Sequence, residues 1–364
     1  VLQLVEQGKL RLEDRLSKYL PEMTRPGHDP TLLQLLNHTA GLGNYGGPSF
    51  HKNIHLDLNA RQWLDSVNDE HLYAFEPGRD WAYSNVAYDL LGFTVEKVSA
   101  TPFADYLQQH VFVPAGMSST RMCNTPEVVP KRAFGYEHGK NGWEHGESWG
   151  TFGDASGRVC SSVKDLAAFW TALESGKLLS GASLKLMQES SHLGNGASFD
   201  YGLGTRLGQL DGHALVAHTG DGESWSSALV AMPDHRIAVI VLANADSPVR
   251  PARAIAVAIL RRVASLPEPD LHDLPVERDL LRKIPGNWGS QQPAELSATG
   301  THLAFKPAGA PVDPVPLLYL GHGEFQFPAE SPAPDVSIRF DIQHQPYVAQ
   351  AFSNEIFEGV SLKQ

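Results

Sequence analysis

Several stretches within residues 1–265 carry apolar side chains at helical spacing. VLQLVEQ at residues 1–7, with Gly8 in the usual C′ place after it, reads as the closing turns of a helix. No capping residue opens it, so its start is expected upstream of Val1, with any signal region outside this chain. Thr31-Leu32-Leu33-Gln34 fits a capping box for a short helix before His38. A Pro77-Gly78 turn leads to Leu90, Leu91, Thr94, Val95 and Val98, whose spacing predicts a helix over Asn85–Val98. Ser162, with Asp165 three residues on, caps another helix with Leu166, Phe169, Trp170 and Leu173 as its buried stripe.

The period then changes. Tyr201–Leu207, His213–His218, Trp225–Met232 and Arg236–Ala243 are short β-rich runs, separated by Asp211-Gly212, Gly220-Asp221-Gly222 and Pro233-Asp234. Joins this short predict an antiparallel meander, and Pro251–Val263 returns as a helix to pack on it. Leu266–Pro275 breaks every periodic pattern with three prolines and three acidic residues, as a linker does. Beyond Ile284 come Glu295–Thr299, His302–Lys306, Leu317–Leu320, Glu324–Phe327, Ser337–Ile342, Tyr347–Phe352 and Phe357–Val360, short strands with Gly or Pro turns. These predict a small barrel or sandwich. The fold class is α+β, with an antiparallel sheet and helices over residues 1–265, a linker at 266–283, and an all-β domain at 284–364.

Composition narrows the functions. The 364 residues are 42% apolar and 19% charged, which supplies a packed core and excludes a wholly disordered chain. The net charge of −12 gives no general attraction for nucleic acid or anionic lipid. Apolar runs such as Ile237–Ala243 are far shorter than the ~20 residues of a spanning helix. Cys123 and Cys160 could form one bridge, but they read as isolated packed thiols, and no CxxC pair points to zinc.

Two segments carry candidate chemistry. In FEPGRDWAYSNVAYDLLGFTVEKV, residues 75–98, Tyr83 stands beside the start of a long helix. The positive potential there favours a phenolate, one route to a phenol acting as a general base. A core tyrosine and an Asn85 N-cap is the plain structural alternative. In HALVAHTGDGESWSSALVAM, residues 213–232, His218-Thr219-Gly220 ends a strand at a glycine turn. An open backbone N–H beyond that glycine could hold an oxyanion, and a structural histidine is again the alternative.

Order joins these segments. VLQLVEQGKL, LLQLLNHTAGL, YSN with its helix, GDASGRVCSSVKDLAAFW and HTG with its strand pair follow one another from Val1 to about Asn244. This series resembles the beta-lactamase-related serine hydrolases, which include class C beta-lactamases, penicillin-binding-protein-like peptidases, D-aminopeptidases and esterases. The resemblance implies a sheet flanked by helices, a helical lobe and an active site between them. Tyr83 matches the family tyrosine that moves the serine's proton with a lysine. Asn85 matches the asparagine that holds substrate or lysine, and His218-Thr219-Gly220 matches the third signature. The Asp221 N–H would be one oxyanion donor, the other being the nucleophile's own N–H, and Tyr45 either borders the pocket or is a packed loop tyrosine. Acyl transfer by this route needs no metal or organic cofactor. The partner implied is a small-molecule or peptide substrate. The C-terminal β part resembles lipocalin-like domains that cover the site or mediate homo-oligomers, and family members are commonly periplasmic or secreted.

Two departures qualify the match. The S-x-x-K segment, with its nucleophile and lysine, is expected about 8–11 residues upstream of Val1 (12–17 Å at the helical rise), so the 364 residues alone should be inactive. Ser161-Ser162-Val163-Lys164 spells S-x-x-K, but Ser162 is already explained as a helix cap. Asp221 stands where many relatives have a small residue, and its carboxylate would oppose an oxyanion unless it points away. His218 in place of lysine removes a permanent cation, which favours esters, amides and peptides over penicillins. A non-catalytic ligand-binding or scaffold homologue is the alternative. His51 and His55 lack the HExxH glutamate, His138 and His145 read as surface residues, and His38 reads as a loop brace. Trp225 either walls the site or is an ordinary sheet tryptophan.

Overall fold

The computed structural model describes residues 1–43, 72–123, 128–140, 142–146, 155–222, 224–245, 252–267, 272–289, 293–329, 331, 333, 335–353 and 356–363. The first turns of the chain do form a helix, Leu2–Glu6, and Gly8 takes the left-handed position behind it at φ 69°. The capping box closes as expected. Gln34 N donates to Thr31 Oγ1 at 3.2 Å and Thr31 N to Gln34 Oε1 at 2.9 Å, opening the helix Leu32–Leu36. Its Leu32 and Leu35 share a core with Leu4, Leu16 and the buried face of the helix Asn85–Ser99, namely Val86, Leu90, Leu91 and Val95. Each of these aliphatic side chains contributes about 1.5–3 kcal/mol by leaving water. The cap of the Asn85 helix is Ser84, whose Oγ accepts from Ala87 N at 3.2 Å, so Asn85 is the first helical residue and not the N-cap. Ser162 caps the helix Val163–Glu174 by accepting from Asp165 N at 3.2 Å.

Four antiparallel strands, Arg206–Leu210, His213–Gly222, Trp225–Met232 and Ile237–Ala243, lie side by side in chain order. The first was expected to start at Tyr201 and starts at Arg206. Glycine is the reason: a Cβ on Gly202 would fall 1.9 Å from the Met187 carbonyl oxygen, and Gly204 sits at φ 79°. Neither fits an extended strand carrying side chains. The helix Ala252–Val263 covers one sheet face, placing Ala256, Val257 and Leu260 in a core with Leu215, Ala217, Val230 and Met232.

The C-terminal strands surround their own core of Trp288, Leu303, Tyr319, Phe325 and Phe340. Gly286–Trp288, Ala294–Thr299, His302–Pro307 and Val315–Pro316 make one antiparallel sheet. Leu318–Gly321, Glu324–Gln326, Val336–Asp341, Val348–Ser353 and Ile356–Leu362 make the other. Its final strand also pairs with Arg206–Leu210, Ile356 opposite Gly208, so nine strands run on through both parts of the chain. The stretch read as linker carries a helix, Arg278–Lys283, and sends Val276 and Leu280 into the C-terminal core.

The cysteines are not isolated thiols. Cys123 and Cys160 form a disulfide with Cα atoms 5.7 Å apart. Antiparallel pairing of Arg121–Met122 with Val159–Cys160, and a Cys123 N–H to Arg158 O bond of 2.8 Å, bring the two together. Burial statistics of free cysteine carry no information about such non-local pairing. No described helix is long and apolar enough to cross a membrane.

Candidate functional site

Tyr83 is held by the loop that carries His38. His38 adopts φ 63°, and its carbonyl accepts from Ala82 N at 3.0 Å while its Nδ1 accepts from Ser84 N at 3.1 Å. The residue between these two anchors is Tyr83. Gly41, at φ 77°, lets the loop pass under Phe75, since a Cβ there would lie 1.9 Å from the Phe75 carbonyl oxygen. Ser84, 1% exposed, ties down the other side by donating from Oγ to Gly43 O at 2.7 Å. The tyrosine is thus fixed at the threshold of the Asn85 helix by backbone contacts.

His218 comes from the sheet. Its strand pairs through Arg206–Leu210 only up to Ala217, whereas the neighbour on the other side pairs all the way from Val216 to Gly222. Residues 218–222 therefore overhang, with one strand edge unpaired by any described strand. The overhang carries Thr219, Gly220 and Asp221, and an unpaired edge offers backbone N–H groups to a ligand. A Cβ on Gly220 would come within 2.6 Å of Ser227 Oγ, so a larger residue there would turn that hydroxyl aside. The Asp221 carboxylate accepts from Ser226 Oγ at 2.9 Å, which engages it with the neighbouring strand.

The structure brings Tyr83 and His218 together, with ring centroids 6.2 Å apart and planes at 40°. Asn85 lies two residues on, at the helix start and partly buried. Tyr45, His51 and His55 fall outside the described residues. Trp225 lines a cavity of about 370 Å³ with Phe134, His145 and Gly146, and neither Tyr83 nor His218 is among its lining residues.

A hydrogen-bonded chain links the two segments, and its proton positions follow from its ends. A backbone N–H can only donate, so His38 Nδ1 accepts from Ser84 and the neutral ring carries its proton on Nε2. That Nε2 lies 3.0 Å from the Tyr201 hydroxyl and donates to it. At the other end, His218 Nδ1 lies 2.7 Å from Thr219 O, which can only accept, so the proton of this ring is on Nδ1. Its Nε2 is left as an acceptor for the Tyr201 hydroxyl, a long contact of 3.5 Å. Ser84, His38 and Tyr201 form one directed chain that reaches toward His218, with the Tyr201 hydroxyl also hydrogen-bonded to Tyr88.

Burial sets the charges. It drives the His38 proton affinity well below the usual imidazole value, with the His218 and Arg206 charges adding to it. Burial, then Arg206, lowers His218 to about 4, against the opposing bond to Thr219 O and the charge of Asp221. Both rings are neutral near pH 7. Tyr83 departs from expectation. The helix N-terminus was expected to lower its proton affinity, but burial raises it; Arg206 opposes that rise, and Asp221 and Asp89 reinforce it. Desolvating a phenolate outweighs the potential at one helix end.

Sequence reasoning missed Tyr201 and Arg206. Tyr201 directly precedes Gly202-Leu203-Gly204, and a tyrosine before a glycine-rich bend is a usable signal. Arg206 offers none, because only the three-dimensional path of its strand brings it near Tyr83. The literal S-x-x-K is engaged structurally, with Ser161 Oγ 2.8 Å from Thr120 Oγ1 and Ser162 serving as the cap.

A family model described as Beta-lactamase matches residues 1–264. Penicillin-binding protein 4* of Bacillus subtilis is 32% identical over 277 residues, covering 70% of this chain and 60% of that protein. The chain spans about half to three fifths of the length of the curated relatives it matches. A D-stereospecific amidohydrolase from Streptomyces sp. superposes with TM-score 0.59 at 28% identity, covering 67% of this chain and 78% of the other. The octameric penicillin-binding protein homologue from Pyrococcus abyssi superposes with TM-score 0.63 at 22% identity, covering all of this chain (100%) and 84% of the other, and shows the shared fold.

Proposed function

The chain belongs to the beta-lactamase family, and from that premise we propose that it forms part of a serine hydrolase that cleaves ester or amide bonds through an acyl-enzyme. Tyr83 is the proton-transfer group, Asn85 orients the substrate, and the overhanging edge at Thr219-Gly220-Asp221 receives the carbonyl oxygen. The nucleophile is the serine of an S-x-x-K segment, and no serine among these 364 residues is assigned that role. Acylation moves the serine proton to the pair formed by Tyr83 and the S-x-x-K lysine as Oγ bonds to the carbonyl carbon. The proton then passes to the departing alcohol or amine, and water reverses the sequence. By itself the 364-residue chain is therefore proposed to be inactive.

The observation that carries this reading is the approach of Tyr83 to a neutral His218 beside an unpaired strand edge. The neutral ring also guides the substrate class. With one nitrogen bonded to Thr219 O and the other facing Tyr201, His218 offers no cation to a substrate carboxylate. Esters, amides and peptides without a carboxylate beside the scissile bond are the proposed substrates, and amide cleavage agrees with the similar Streptomyces protein being named an amidohydrolase. Export is supported by the Cys123–Cys160 disulfide, since such bonds persist in oxidising compartments. The units proposed are 1–265 and 284–364, with 266–283 between them sending Val276 and Leu280 into the second, which serves in homo-oligomer contact.

Labelling the full-length product with a fluorophosphonate and mapping the adduct tests the proposal. An adduct on an S-x-x-K serine, and none on Ser161, is expected. An unlabelled protein would instead mark a ligand-binding or scaffold homologue.

A further inference from the structure

A buried arginine faces the phenol. The Arg206 guanidinium carbon lies 5.4 Å from the centroid of the Tyr83 ring, and the residue is 8% exposed. Its position is set from the far end of the chain. Nη1 donates to Phe357 O at 2.9 Å and to Glu358 Oε2 at 3.1 Å, while Nε is buried with no hydrogen-bond partner. The other oxygen of Glu358 takes Arg253 Nη1 from the helix behind the sheet, so one carboxylate holds two arginines. Phe357 in turn packs edge-on against Trp81, two residues before Tyr83, with centroids 5.3 Å apart. The final strand therefore holds the arginine and supports the segment that presents the tyrosine.

The groups around Tyr83 otherwise work against ionisation. His38 and His218 are neutral, Tyr88 and Tyr201 have raised proton affinities, and Asp221 and Asp89 repel a negative oxygen. Arg206 is the one described group that favours the charged form. A phenol that accepts a proton must first be ionised, so the reading of Tyr83 as proton-transfer group calls for cations near it, one of them the S-x-x-K lysine. Resting on that reading, we propose that Arg206 is a positioning residue of the site: its buried charge, held by the final strand through Phe357 and Glu358, supports the Tyr83 phenolate. The C-terminal β region is then a working part of the site, and its last strand completes the electrostatics of the first domain.

The test reads ionisation directly and needs no turnover. The protein is labelled uniformly with 3-fluorotyrosine, the Tyr83 signal is assigned by its loss in Tyr83→Phe, and its ¹⁹F shift is titrated. Arg206→Gln keeps an amide donor for the Phe357 carbonyl but removes the charge, and Arg206→Lys keeps the charge. Arg206→Gln is expected to raise the Tyr83 midpoint by about one pH unit or more, the usual effect of removing an opposite charge that faces an ionisable group. Arg206→Lys should stay within about half a unit of the parent, on the same reasoning. Equal shifts in the two variants, or none in Arg206→Gln, overturn the proposal. Should Arg206→Gln fail to fold, the parent chain titrated at low and high salt decides through the Arg206→Lys variant. A charge effect leaves the parent and the lysine variant together at both salts, whereas a packing effect separates them. Failure of the general-base reading would look different: Tyr83→Phe in the full-length product would keep its activity while the Arg206→Gln shift persisted.

Discussion

His38 and His218, contributed by a loop before the Asn85 helix and by the sheet, are joined through one hydroxyl, that of Tyr201. Because the outer partners are a fixed donor and a fixed acceptor, the two rings must hold opposite tautomers. Nitrogen-15 spectra should show His38 protonated on Nε2 and His218 on Nδ1. Tyr201→Phe breaks the link and leaves the His38 Nε2–H buried without an acceptor. A loss of about 1–3 kcal/mol in unfolding free energy is expected from urea denaturation. A neutral result, or a His218 proton on Nε2, contradicts this hydrogen-bonded chain.

Both imidazoles are held neutral, so stability should depend on pH in a defined direction. The ordinary imidazole value is 6.5 and His218 lies at about 4 in the fold. Between these values the unfolded chain binds more protons than the folded one, so acid favours unfolding. Stability is fully present above about pH 6.5 and falls as pH drops toward about 4. His38, 1% exposed and held neutral by the same burial, acts in the same direction. A loss on the order of 2 kcal/mol from His218 alone between about pH 7 and pH 4.5 is expected from urea midpoints, with His38 adding to it. A flat profile across that window would contradict the burial of neutral rings.

Much of the fold was readable from the sequence because its signals are local. The capping box at Thr31 and Gln34, the cap at Ser162 and the alternation in residues 213–243 each depend on neighbours within a few positions. Tyr83 and His218 were legible as a pair only through the order of motifs. What escaped was non-local. The Cys123–Cys160 bridge, the pairing of Ile356 with Gly208 and the approach of Arg206 to Tyr83 join segments whose sequences carry no mark of each other. The proton affinity of Tyr83 escaped for a related reason. Helix position is visible in sequence, whereas the desolvation that outweighs it comes from packing by distant residues.

The disulfide closes a 37-residue separation around strands of only two residues each, which have little hydrogen bonding of their own. Its contribution is expected to be roughly 3–4 kcal/mol from restricting the unfolded chain. Replacing both cysteines by serine, and comparing thermal midpoints with and without reductant, checks this. The serine variant should be less stable and should not respond to reductant, while the parent should fall toward it. Equal midpoints for both proteins would count against a structural role.

The role of Tyr83 is tested most directly by kcat/KM for an activated ester in the full-length product, parent against Tyr83→Phe. The change removes a single hydroxyl and leaves the ring between its His38 anchors. A fall of about 10²- to 10⁴-fold carried by kcat, with KM little changed, is expected when a proton-transfer group is lost. Turnover within about threefold of the parent would show that the phenol takes no part in the chemistry.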